Sequence, residues 1–265
     1  MRDEGDGRME WGYTVAGLLV GFVVGVTGMG GGALMTPILI LFFNISPALA
    51  IGTDLLFASV TKAGGVVVHG SRGNIEWKIV GLMAMGSIPA AAITVLLLQQ
   101  YSYSGDVKKL LTPALGIALL LTAPVVLFKG YLTQIAQTRF KLNAYVHWRP
   151  LVTVIVGAGL GVLVTLSSVG AGVLGTMILF FLYPRMAAVR IVGTDIAHAV
   201  PLTAVAGLGH LQMGNVDFML LGSLLVGSLP GIYIGSHLSN RIPEKVLRPI
   251  LGTLLLLFGA KFAFS

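Results

Sequence analysis

Cysteine is absent from this 265-residue chain. Its absence excludes disulfides, thiolate chemistry and cysteine-ligated metals, and it leaves the redox compartment unmarked. Charge is nearly as scarce, at 10% of residues against roughly 25% in soluble domains, so a water-facing surface cannot be made from this chain. No H-E-x-x-H, P-loop or serine-nucleophile motif occurs, so nothing points to ATP hydrolysis, and neither enzymatic activity nor a cofactor or metal is expected. The first ten residues, MRDEGDGRME, mix both signs and lack a basic n-region. A cleavable signal peptide is therefore not expected, and Trp11 onward should persist as the first span.

What is present is apolar: 55% of residues are hydrophobic and mean hydropathy is +0.91. Between Trp11 and Thr53 there is no charged residue. That stretch can cross a bilayer about twice at roughly 20 residues per helix. The net charge of +7 sits in short segments between apolar runs, where it reads as a topology signal rather than a nucleic-acid surface. The chain reads as an all-α polytopic protein, multi-pass in a cytoplasmic (inner) membrane.

Ten apolar segments can be delimited: about 11–29, 30–43, 47–69, 77–98 and 107–128, then about 150–168, 169–183, 187–210, 217–238 and 245–264. The second and seventh are short enough to be half-helices or re-entrant. Residues 11–128 and 150–264 form two repeats, joined by a linker, 129–149. Gly30, Gly32 and Leu34 recur 140 positions later as Gly170, Gly172 and Leu174. One residue further in register, Gly52-Thr53-Asp54 recurs as Gly193-Thr194-Asp195, His69 as His210, Gly73-Asn74 as Gly214-Asn215, and Gly86-Ser87 with Pro89 as Gly227-Ser228 with Pro230. An ordered series of this kind is a duplication, a recurring design in secondary transporters.

If all five segments of a half cross, the halves are inverted. One face then collects Arg72, Lys78, Lys129, Arg139, Lys141, Arg149, Arg185, Arg190, Arg241, Lys245 and Arg248, and the other Arg2, Arg8, Lys108, Lys109 and Lys261. The positive-inside rule favours this arrangement, with both termini outside, over eight crossings. The linker has four Lys/Arg and four aromatics. It suits an interfacial amphipathic segment or a solvated connector.

The strongest local signal is Thr27-Gly28-Met29-Gly30-Gly31-Gly32, echoed by Ser167-Ser168-Val169-Gly170-Ala171-Gly172. Glycine runs break helices, and broken backbone at membrane depth is tolerated only where it lines a cavity or is buried in protein. Each run precedes a short apolar helix, whose first N–H groups lack intrahelical partners and sit at the positive dipole end. Two such ends, with the Thr27, Ser167 and Ser168 hydroxyls, form a candidate anion site. Close helix packing is the plainer alternative. Gly28-x-Gly30-x-x-Ala33 also fits a dinucleotide fingerprint, but it lies between membrane segments and its second copy breaks the pattern.

Asp54 and Asp195 lie within apolar segments, where an ionisable group is a functional candidate. A carboxylate beside an anion repels it unless protonated, so both are candidate proton-coupling groups. The alternative is a helix cap or an acceptor for backbone N–H groups. Lys62, opposite Thr203 in the repeat, is placed to offset a substrate's charge or to pair with Asp54 two turns away; snorkelling is the alternative. His69 and His210 suit interfacial hydrogen bonding better than proton transfer.

The stretch G-x-G-G-G-x-L-x-x-P from Gly28 to Pro37 resembles the TauE/SafE sulfite-exporter family of bacterial and archaeal membrane proteins. The second copy, Val169 to Leu174, the G-T-D turns and the stretch from His69 to Trp77 are similar too. The resemblance covers about residues 11–264. It implies export or uptake of sulfite, organosulfonates such as sulfoacetate, or related sulfur oxyanions. On that reading Gly30, Gly31 and Gly32 face the substrate, with Gly170 and Gly172 as partners; Gly28, Thr53 and Thr194 are further candidate substrate-binding residues. Thr53-Asp54 and Thr194-Asp195 stand where the family usually carries Thr-Ser.

The function expected is thus secondary transport of a small anion by alternating access, one half rocking against the other. A passive anion channel shares every feature of the site. An intramembrane aspartyl-type enzyme needs two carboxylates that share a proton and usually carries G-x-G-D rather than G-T-D. The partners expected are the anion and the lipid bilayer, without nucleic acid.

Overall fold

A computed structural model describes residues 4–27, 32–104, 107–139, 148–238 and 244–264, and every regular element among them is helical. In order these are α1 (Glu4–Thr27), α2 (Gly32–Phe43), α3 (Pro47–Ser71), α4 (Trp77–Ser104), α5 (Lys108–Leu127), α6 (Lys129–Arg139), α7 (Arg149–Ser167), α8 (Val173–Leu182), α9 (Ala188–Gln212), α10 (Phe218–Leu238) and α11 (Glu244–Ala263). Six of them, α3, α4, α5, α7, α9 and α10, are long and apolar enough to cross a membrane. Large apolar side chains such as Leu19, Ile93, Leu97, Ile155, Met219 and Leu229 stand exposed along these helices and α1. On a soluble protein that would be an aggregation hazard; here it is the lipid face.

The short helices explain the breaks. α2 has 12 residues and α8 has 10, or about 18 and 15 Å at roughly 1.5 Å per residue, against a hydrocarbon core of about 30 Å. Neither can span alone. α2 runs back along α1 until Phe43 packs on Tyr13, ring centroids 5.0 Å apart. In the second half the equivalent pair, Thr153 and Tyr183, shares a hydrogen bond of 2.8 Å. Each half therefore opens with a pair of helices whose second member runs back along the first, and in the second half the turn between them, Ser168 to Ala171, is buried inside the protein. The short helix ends on the face where its partner began, which keeps the inverted relation of the halves.

The halves are interleaved rather than side by side. α1 packs on α10, α4 on α7, α3 on α9 and α5 on α11, so each principal pairing joins opposite repeats. Glycine makes the α1–α10 and α4–α7 seams close enough to bring backbone onto backbone. A methyl group at Gly86 would fall well inside 3.0 Å of the Val154 carbonyl oxygen, and one at Gly227 would meet Thr14 in the same way.

Each residue of the duplicated Gly-Thr-Asp triplets has a distinct role, repeated across the pseudo-twofold. Gly52 and Gly193 admit the carbonyls of Asn215 and Asn74. Thr53 and Thr194 accept the N–H groups of Asp217 (3.1 Å) and Glu76 (3.0 Å). The third residue is the buried carboxylate. Arg190, in the first turn of α9, pairs with Glu76 beside the α3–α4 turn.

Candidate functional site

The second break can be followed residue by residue. α7 ends at Ser168, which is left-handed at φ 59°, and its N–H is bonded to the Val164 carbonyl at 2.7 Å. Gly170 and Gly172 follow at φ 115° and 131°, values an L side chain rarely tolerates. The Ser167 hydroxyl satisfies freed backbone: it donates to the Leu163 carbonyl (2.6 Å) and accepts from the Val169 N–H (3.1 Å). Gly170 faces the apolar side chains of Leu163, Val164 and Leu174, whereas Gly172 opens onto a cavity.

Into this break reaches Lys62, from the other half. Its ammonium donates to the Ala171 carbonyl at 2.6 Å, and it lies within electrostatic reach of both Asp195 and Asp54. Lys62 is 7% exposed, Asp195 1% and Asp54 0%, so all three are withdrawn from water. Thr176, one turn into α8, donates to one Asp195 oxygen at 2.8 Å. The other oxygen lies against Gly175, where a methyl group would collide with it, and has no hydrogen-bond partner. The carboxylate thus rests on the first turn of α8, at the positive end of its dipole. Asp54 repeats half of this pattern, with Thr36 of α2 donating to it at 2.6 Å and the Ser168 hydroxyl beside it.

A cavity of about 180 Å³ adjoins this cluster, lined by Val24, Thr61, Lys62, Gly65, Gly172, Thr176, Val192, Asp195, Ile196 and Ile232. At roughly 30 Å³ per water it has room for a few waters or one small anion, and none for a nucleotide.

Of the residues singled out from the sequence, Lys62, Gly172 and Asp195 meet at this cavity. Gly28, Gly30 and Gly31 lie outside the described residues, and Gly32 opens α2. Thr27 bonds the Val23 carbonyl of its own helix at 2.7 Å. Ser168 is buried, and its hydroxyl lies beside the Asp54 carboxyl group. Thr53 and Thr194 fasten interhelical turns. His210 is fully buried and donates from Nε2 to the Thr165 carbonyl at 3.0 Å. His69 sits at the end of α3 against Gly193.

Sequence reasoning missed Thr36, Thr176, Ser87 and His198. His198 is fully buried, one turn beyond Asp195, and its Nε2 is 2.8 Å from the Ser87 hydroxyl. An ionisable side chain within apolar α9 was the available signal. For the threonines it was the same 140-residue register that pairs Leu34 with Leu174.

The bond from Thr176 to an otherwise unpartnered buried carboxylate has a measurable consequence. Thr176→Val is expected to lower unfolding free energy by about 1.5–3 kcal/mol, the usual cost of losing a hydrogen bond to a charged group. Thr203→Val is the control, because Thr203 bonds only carbonyls of its own helix. It is expected to cost about 1 kcal/mol or less. Reversible denaturation in mixed micelles measures both, and equal losses would remove the special standing of Asp195.

A family model described as "Sulfite exporter TauE/SafE" matches residues 13–262. Among curated proteins the chain is 39% identical over 247 residues to the probable membrane transporter protein YjnA of Bacillus subtilis (strain 168), covering 92% of this chain and 96% of that one. It is 31% identical over 257 residues to the probable membrane transporter protein YdhB of the same organism, covering 91% and 97%. A probable membrane transporter protein of Methanocaldococcus jannaschii is 26% identical over 265 residues, covering 91% and 92%. No solved structure matches the chain at a significant level.

Proposed function

The chain belongs to the sulfite exporter TauE/SafE family, and from that membership we propose that it is a secondary carrier of a small anion across the cytoplasmic membrane. The substrate is sulfite, an organosulfonate such as sulfoacetate, or a related sulfur oxyanion. Membrane transport follows from the family and from relatives named as probable membrane transporters. The choice of an anion rests on one observation: Lys62 is buried against the helix break of the opposite half, beside a cavity that also exposes Gly172, Thr176 and Asp195.

Charge arithmetic at that cluster supports proton coupling. With Asp54 and Asp195 ionised and Lys62 protonated, the cluster carries one net negative charge and repels an anion. Protonating one carboxylate makes it neutral, and protonating both makes it positive. The carrier therefore takes up its substrate with at least one proton, held on Asp54 or Asp195, while Thr36 and Thr176 keep each carboxyl in place. Because the principal helix pairs join opposite halves, the bodies that move past each other are mixed bundles. α1 with α10 is one such pair and α4 with α7 is another.

Counterflow in proteoliposomes with labelled sulfite, sulfoacetate and thiosulfate tests this reading. The expected result is transient uphill accumulation of at least one of them, with a rate that rises as pH falls. In Asp54→Asn/Asp195→Asn the pH dependence is expected to disappear. Strictly downhill flux would make the protein a channel. A double variant that kept the wild-type pH profile would end the coupling proposal.

A further inference from the structure

The cavity beside Lys62 is polar at one end only. Lys62, Gly172, Thr176 and Asp195 are gathered there: Thr176 donates to Asp195 at 2.8 Å, and Lys62 donates to Ala171, next to Gly172, at 2.6 Å. Most of the remaining wall is aliphatic. Val192 and Ile196 come from α9, and Val24 of α1 and Ile232 of α10 complete it. Gly65 adds no side chain, and a methyl group there would touch Ile196. The α1–α10 pair therefore contributes only hydrocarbon to this space.

Few of the polar groups are open to a ligand. The Thr61 hydroxyl is directed at the Phe57 and Ala58 carbonyls of its own helix, and that of Thr176 is spent on Asp195. Lys62 uses one N–H on Ala171 and keeps the others. Its charge also sets a ceiling. No other Lys or Arg among the described residues is buried, so with both carboxyls protonated the cluster reaches a single positive charge. That neutralises one negative charge and leaves a second unanswered. His198, one turn beyond Asp195, is bonded to Ser87 and does not line the cavity.

We infer that the substrate is a monoanion with its charge at one end and an uncharged hydrocarbon tail at the other, a short-chain alkanesulfonate. The inference rests on the anion-carrier reading above and narrows its substrate class. The head group takes the free N–H groups of Lys62, and the tail covers Val24, Val192, Ile196 and Ile232. At about 180 Å³ the cavity has room for both, at roughly 30 Å³ per water-sized group. Sulfite turns charged oxygens toward a wall that cannot hydrogen-bond them, and sulfoacetate places a carboxylate there. Each loses hydration without replacing it, whereas every methylene of an alkyl tail gains by burial. Val24 and Ile232 are thus the residues that set specificity.

Counterflow of labelled propane-1-sulfonate in proteoliposomes, competed by unlabelled anions, tests this. Potency is expected to rise about fourfold per methylene from methanesulfonate to propanesulfonate, and to fall at hexanesulfonate, which overfills the cavity. Sulfite and sulfoacetate should compete about tenfold more weakly than propanesulfonate, or worse. In Val24→Thr/Ile232→Thr the slope with chain length should flatten, with sulfite counterflow kept within about twofold. If that variant does not fold, the wild-type series decides alone. A flat series overturns the inference, as does sulfoacetate competing equally or a folded double variant with the wild-type slope. A rise that continues through hexanesulfonate also overturns it, by showing partition into lipid rather than a bounded cavity. Vesicles that accumulate sulfite but not propanesulfonate end the inference and leave the carrier reading standing. Vesicles that move no sulfur anion at all end that reading too.

Discussion

Lys62→Gln is expected to reduce anion flux by about a hundredfold or more while leaving a folded, extractable protein. Glutamine keeps a donor in reach of the Ala171 carbonyl, so the substitution removes charge more than it removes a hydrogen bond. Lys62 is the single buried Lys or Arg among the described residues, and two buried carboxylates face it. Taking one partner from a buried, hydrogen-bonded charge arrangement costs about 2–5 kcal/mol. About 2.8 kcal/mol is already a hundredfold in affinity. Lys62→Gln/Asp195→Asn separates structure from transport. Removing one charge of each sign should recover most of any lost thermal stability, because no extra carboxylate is left uncompensated, and flux should stay at the level of Lys62→Gln. Counterflow and a melting curve on the same preparations give both numbers. Lys62→Gln vesicles that carry sulfite within twofold of wild type would show that the substrate does not use this charge.

How much of this was legible in the sequence depended on symmetry. The duplication put Asp54 beside Asp195 and one glycine break beside the other, because identical residue types recur at a fixed offset. The same comparison hides what the halves do not share. His198 stands where the first half has Phe57, Lys62 where the second has Thr203, and Gly175 where the first has Met35. These asymmetric positions gather around the Asp195 carboxylate, through Lys62 of α3, His198 of α9 and Gly175 of α8. Lys62 drew notice because a lysine within an apolar run is rare. Its partner did not, because Ala171 is 109 residues away and lies in the break between α7 and α8, in the other half. The Gly-Thr-Asp triplet was visible as a motif, but the division of labour within it was not. Two of its residues fasten interhelical turns, and only the third reaches the central cluster. A local motif cannot show this, since the first two residues meet one turn of the opposite half and the third meets the short helix of its own half.

The second large effect concerns the seams that hold the repeats together. Gly86→Ala and Gly227→Ala are each expected to destabilise the protein by about 3 kcal/mol or more, at the upper end of overpacking costs. For a chain of this size that is a fall in melting temperature on the order of 10 °C. In both cases the new methyl group meets a backbone carbonyl, Val154 or Thr14. It does not meet a flexible side chain, so relief requires two helices to separate. Five residues earlier in the same helices lie Gly81 and Gly222, also related by the repeat, where a methyl group meets nothing within 4 Å. Gly81→Ala and Gly222→Ala are expected to be neutral, or to stabilise by up to about 1 kcal/mol through helix propensity. Because α1–α10 and α4–α7 each join opposite halves, the two damaging variants also report on motion. If each pair moves as one body, loosening its seam should lower transport in step with stability, and residual flux per folded molecule should stay near wild type. If instead the halves slid past each other along these seams, a wedge there would jam or free the cycle, and flux per folded molecule would change far more than the melting temperature.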